Sequence, residues 1–193
     1  MIKKIFQNSP PPSRVFLTGV PGSRWSGIAQ EIEEHLQADT SDRTSERQYS
    51  HTKFSGHCGA YFGTGMEFPA SLNRSVLDAP YQPTTQNNPI KCRVHKSHEW
   101  AYMLDEICSK FPESWIVFVY RDDKRSYDWW KEAGGWNIHY PNYSWYVDDY
   151  VMQQQIHKQN NAILNFALSK NLTWIQHSNF PDIFLTVHFG GQQ

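Results

Sequence analysis

The chain has 193 residues, with 18 basic and 19 acidic side chains and a formal charge of -1. This length suits one α/β domain around a single core and is too short for two full domains. So even a charge balance excludes a bulk field that would draw the protein onto nucleic acid or an anionic membrane, so any anion site has to be local. The three cysteines, Cys58, Cys92 and Cys108, are odd in number and form no C-x-x-C pair, which argues against a disulfide framework and for a reducing compartment. No apolar run follows Lys3-Lys4, and no stretch approaches the roughly 18 apolar residues of a membrane span. A cytoplasmic protein is expected. Eight Trp, ten Tyr and eleven Phe give more aromatic surface than is usual, which suits either a large-residue core or a site for flat ligands.

In chain order, Pro10-Pro11-Pro12 lead stiffly into Arg14–Gly19, which reads as a short buried strand. A Pro-Gly turn follows, and then a helix over about 26–37 with Ile28, Ile32 and Leu36 at four-residue steps. Residues from about 38 to 89 are polar and rich in Ser, Thr, Asn, Gly and Pro, and predict an irregular excursion over one face, with short helices around 69–77. Ile90–His95 predicts a second strand and Glu99–Lys110 a helix with Trp100, Met103, Leu104 and Ile107 on one face. Trp115–Tyr120 is apolar on both faces, the pattern of a central parallel strand covered by helices. A helix over about 124–132, an aromatic loop over about 133–146, a long helix over about 148–169 and a last strand at Leu172–Ile175 complete the reading. The tail from Pro181 has no clear assignment. Strands alternating with helices predict a three-layer α/β domain with a short, mainly parallel sheet.

The order strand, Gly19-Val-Pro-Gly-Ser-Arg-Trp-Ser26, helix has a direct physical meaning. Free main-chain N–H groups at a helix N-terminus point outward and, with the helix dipole, attract an anion. Gly22 allows close approach, Ser23 and Ser26 offer hydroxyls, and Arg24 offers charge. A ligand-free β-α turn is the alternative. The loop is not a Walker A sequence: only Gly19 and Ser26 match, and the Lys position holds Trp25.

The same segment resembles the phosphosulfate loop of the P-loop sulfotransferases, near P-K-S-G-T-T-W, with Pro21, Ser23 and Ser26 in matching places. Gly22 stands for the family Lys and Arg24 for the family Gly. Lys96-Ser97-His98 is similar to the K-T-H motif that carries the family's base. Val119-Tyr120-Arg121-Asp122 is similar to the strand end whose Arg binds the cofactor's 3′-phosphate. The family Ser eight residues after that Arg is replaced by Trp129, and Ser126 is a substitute candidate.

The resemblance implies a P-loop-type fold, the donor 3′-phosphoadenosine 5′-phosphosulfate without metal, and a hydroxyl or amine acceptor, either a small molecule or a glycan. It implies His98 as base, with Lys96 and Arg24 as candidates to stabilise the leaving oxygen. Pro21, Gly22, Ser23, Arg24, Trp25, Ser26, Arg121 and Ser126 would line the donor site. Trp25 would either stack on adenine or pack under the loop. His95 is a rival base, but its odd offset in an extended strand points it to the other face. Acceptor contacts are expected from His51, His57 and Tyr61 in the excursion and from Trp136, Tyr140 and Trp145 in the aromatic loop.

The sequence is also compatible with two rival functions. A nucleotide-dependent phosphotransferase could use Asp122 or Asp123 for magnesium, although the Walker Lys is missing. A non-catalytic module could bind a glycan or a partner. His51, His57 and Cys58 have no familiar zinc spacing.

Overall fold

The computed structural model describes residues 2–6, 10–54, 56–83, 91–138, 143, 145 and 147–191. In chain order its elements are α1 (Ile2–Ile5), β1 (Arg14–Gly19), α2 (Trp25–Leu36), β2 (Gln48–Tyr49), β3 (His57–Cys58), α3 (Arg74–Asp78) and β4 (Arg93–Lys96). A single-turn 3-10 helix (Glu99–Tyr102), α4 (Leu104–Lys110), β5 (Trp115–Arg121) and α5 (Asp123–Ala133) follow. A second 3-10 turn (Gly135–Asn137), α6 (Asp149–Ser169), β6 (Ile175–Gln176) and β7 (Ile183–Phe189) close the chain.

One five-stranded sheet in the order β4-β1-β5-β7-β6 organises the fold. The first three strands are parallel, with Leu17 beside both Lys96 and Val117. Alternate side chains of β1 and β5 enter two separate cores, because a strand sends successive residues to opposite faces. Val15, Leu17, Trp115, Val117 and Val119 pack with Ile28 and Ile32 of α2. Phe16, Ile116 and Phe118 pack with Trp100, Leu104 and Ile107 and with Ile163 and Phe166 of α6. Helices therefore cover both faces, as the doubly apolar strands predict.

Local chemistry sets the helix starts. Asp148 caps α6 by accepting from the Val151 N–H at 2.8 Å, and Asp122 caps α5 by accepting from the Arg125 N–H at 3.2 Å. α2 differs: its N-cap, Arg24, is left-handed at φ 63° and makes no side-chain cap.

The structure corrects several expectations. The helix expected over 99–110 breaks at Met103, whose backbone leaves the helical region, giving a 3-10 turn and then α4. The second strand runs Arg93–Lys96, and its expected start at Ile90 lies outside the described residues. The last parallel strand shrinks to Ile175–Gln176 at the sheet edge. The unassigned tail instead supplies β7, seven residues antiparallel to β5 over their whole length. β7 inserts between β5 and β6, and its alternating Ile183, Leu185 and Val187 enter the core beside α2. The excursion holds the two-residue pair β2–β3 and the single-turn α3, capped by Asn73.

Candidate functional site

The carboxyl ends of the three parallel strands share one edge of the sheet, the place where open α/β sheets bind ligands. There the chain brings together the β1–α2 loop, His98 after β4, and Arg121 at the end of β5. Beside them is a cavity of about 610 Å³, counting its open mouth. Its floor is Pro21, Gly22, Arg24, Trp25 and Ser26 of the loop, with His98. Tyr49, His51, His57, Tyr61 and Met66 of the excursion form one wall. Trp129, Trp130, Ala133, Ile138 and Tyr143 form the other.

The loop is a tight Pro-Gly turn, closed by the Ser23 N–H donating to the Val20 carbonyl at 3.1 Å. Gly22 sits at φ 76°, and a Cβ there would lie 1.8 Å from the Ser126 carbonyl oxygen. Only glycine permits both that backbone and that contact with α5. Past the turn, among the described residues, no acceptor is present for the main-chain N–H groups of Trp25, Ser26 and Gly27. The Nε of Arg24 is also buried without a hydrogen-bond partner, while its guanidinium stacks on Phe180 at 4.0 Å. Unpaired donors concentrated at one helix start leave room for an anion.

His98 is 4% exposed, and its Nδ1 donates to the Gly19 carbonyl at 2.5 Å. A carbonyl can only accept, so the proton is on Nδ1 and the lone pair on Nε2. Burial pushes the ring's pKa down to about 3, against the pull of the Gly19 carbonyl, so the imidazole is neutral. Trp25 at 4.4 Å and Tyr143 at 5.0 Å hold the ring from two sides. Trp25 thus packs under the cleft against His98 and Tyr61. His95 lies on the opposite face of β4 among Phe16, Phe62 and Tyr81, with Arg14 3.3 Å from its Nε2.

No family model, curated protein or solved structure matches the chain. The chemistry of the cleft therefore rests on its own geometry.

That geometry rearranges the expected roles. Lys96 does not reach the cavity. Its side chain is 1% exposed, with Nζ 2.8 Å from Glu33 Oε1 and 3.5 Å from Asp42 Oδ2. Burial opposes its charge, but the two carboxylates outweigh burial and hold its pKa above the usual lysine value. Arg43 also bonds Glu33, and Asp42 accepts from the Ala60 N–H at 2.8 Å. This buried network fastens the excursion to α2 and β4. Gly59, at φ 94°, faces it so closely that a Cβ would lie 2.6 Å from Asp42 Oδ2.

Ser23 is likewise turned inward, its hydroxyl donating to the Val20 carbonyl at 2.7 Å. Ser126 is fully buried and donates to the Arg121 carbonyl at 3.1 Å. Arg121 reaches the loop, but as a donor to the Gly22 carbonyl at 3.0 Å and as the partner of Asp182. Among the acceptor candidates, His51, His57 and Tyr61 do line the cavity. Burial lowers the pKa of His51 and takes that of His57 to about 3, so both are neutral. Trp145 stacks on Tyr143 beside His98. Trp136 is exposed, donates to Asp149 at 2.7 Å and packs edge-on behind the cavity residue Trp130 without lining the cavity itself. Tyr140 lies outside the described residues. Among the described residues no cluster of three or more His, Cys, Asp or Glu side chains could hold a metal ion, and no helix is long and apolar enough to cross a membrane.

Sequence reasoning missed Glu33, Asp42, Phe180 and Asp182, which pair with the expected cations. It also missed Tyr49, Trp129 and Trp130 as cavity walls. Only Trp129 carried a signal, as the residue replacing the family Ser.

Proposed function

We propose that the chain is a sulfotransferase on a P-loop-type fold, moving a sulfuryl group from an adenosine phosphosulfate to the hydroxyl of a small uncharged acceptor. One observation carries this reading: a neutral, oriented His98 stands beside the uncapped start of α2 at the floor of one cavity. The bound donor would supply the sulfuryl group and a phosphate leaving group. The N–H groups of Trp25, Ser26 and Gly27, with the unpaired Nε of Arg24, would hold its anionic end. His98 Nε2 would take the acceptor proton as the oxygen attacks, while the Gly19 carbonyl keeps the ring in the right tautomer.

The walls favour a hydroxyl over an ammonium group. Aromatic rings and neutral imidazoles dominate them, and no carboxylate among the described residues lines the cavity. An ammonium ion would enter without a counter-charge there. Direct assay for sulfated product, with simple phenols and sugars as acceptors, tests the reading. Product formed without magnesium supports it; a folded protein that binds no adenosine nucleotide overturns it.

A second reading, a non-catalytic nucleotide-binding module, is favoured by Lys96. With no Lys in the loop and the ammonium of Lys96 sequestered by Glu33, Arg24 would be, among the described residues, the one cationic side chain beside the main-chain N–H groups to stabilise the leaving group. Nucleotide binding without turnover on any acceptor would select that reading.

A further inference from the structure

In the family that the motifs resemble, the strand-end Arg and a Ser eight residues later hold the 3′-phosphate of the donor. Here Arg121 is already engaged on three sides. Its Nε and Nη2 donate to Asp182 Oδ2 at 2.8 and 2.5 Å, and its Nη1 donates to the Gly22 carbonyl at 3.0 Å. The Trp129 ring, at the position of the family Ser, lies 4.5 Å from the guanidinium carbon, and Phe54 stacks on that ring. The side chain of Arg121 is 6% exposed. The substitute hydroxyl, Ser126, is spent on the Arg121 carbonyl.

Topology brings the carboxylate to this place. β7 runs antiparallel to β5 with Ile183 opposite Arg121, so Asp182 arrives beside the guanidinium as the strand begins. A carboxylate that neutralises the cation also repels a second anion at the same spot. The 3′-phosphate therefore does not fit the residues present.

We propose that the cleft selects a nucleotide whose charge is confined to its 5′ end, an adenosine 5′-phosphosulfate without a 3′-phosphate. The inference rests on the sulfuryl-transfer reading above. Asp182 acts as the discriminator, and Arg121 becomes a positioning residue that holds the Gly22 carbonyl and so the shape of the loop. In the transfer the acceptor hydroxyl gives its proton to His98, its oxygen bonds to sulfur, and the bond from sulfur to the bridging oxygen breaks. Adenosine 5′-monophosphate leaves with that electron pair.

The test is calorimetric titration of the full chain with adenosine 5′-monophosphate and, separately, with adenosine 3′,5′-bisphosphate. The monophosphate is expected to bind about tenfold tighter or more. Asp182→Asn, which removes the charge at a side chain 37% exposed, is expected to tighten the bisphosphate by about tenfold. Equal or tighter bisphosphate binding to the unaltered chain overturns the inference and leaves the sulfuryl-transfer reading standing. An unchanged gap in Asp182→Asn overturns the role of Asp182. Binding of neither nucleotide overturns the reading and the inference together.

Discussion

His98 Nδ1 lies 2.5 Å from the carbonyl oxygen of Gly19, the last residue of the strand that leads into the β1–α2 loop. One main-chain carbonyl thus sets the tautomer of the proposed base and ties it to the loop that would hold the reactive anion. Replacing His98 by Ala should lower turnover by about 10²–10⁴-fold, the usual contribution of a positioned acid or base, with nucleotide affinity within about twofold. Kinetics and calorimetry on the same variant check this. Loss of turnover and affinity in equal measure would make His98 a structural support of the loop.

The buried imidazoles predict acid sensitivity. Burial pushes His57, His95 and His98 each to about 3. In the unfolded chain they titrate near 6.5, so between those values the unfolded state binds more protons. Stability is therefore lost as pH falls from about 6.5 towards 3, and these groups have no effect on it well above 6.5. Each imidazole accounts for on the order of 1 kcal/mol at one pH unit below its unfolded pKa. Three together lower the melting temperature by about 10 °C between pH 7 and 5.5. Calorimetric scans at the two pH values measure the shift, and a fall under about 2 °C contradicts it.

Lys96 is assigned to the fold and not to the chemistry. Lys96→Met leaves Glu33 and Asp42 buried without their shared cation, at a cost of about 3–5 kcal/mol. Urea unfolding checks this. A cost below about 1 kcal/mol together with lost turnover would return Lys96 to the active site.

The loop turn predicts a contrast between two glycines. Gly22→Ala combines φ 76° with a methyl group 1.8 Å from the Ser126 carbonyl oxygen, so α5 must move or the turn must open. A loss of more than about 2 kcal/mol is expected. At Gly27 a methyl group meets only the flexible Arg24 side chain at 3.4 Å, and the change to Ala is expected to be neutral or to stabilise by up to about 1 kcal/mol. Thermal unfolding of the two variants side by side decides the matter, and similar losses would refute the turn geometry.

The strand–turn–helix around Gly19–Ser26 and the central strand from Trp115 could be read from the sequence. Periodicity, apolar runs and Pro-Gly turn chemistry are properties of consecutive residues. That Gly19, His98 and Arg121 would share an edge also followed, because parallel strands place their carboxyl ends together. The partner of each charge did not follow. Lys96 is claimed by Glu33, 63 positions away, and Arg121 by Asp182, 61 positions away. Lys96 and Arg121 stand in motifs that suggest ligand binding, and only the packing of α2 and the antiparallel entry of β7 decide that protein carboxylates reach them first. Burial and ion pairing are set by residues distant along the chain, so the tertiary structure alone determined which cations are left to face a ligand.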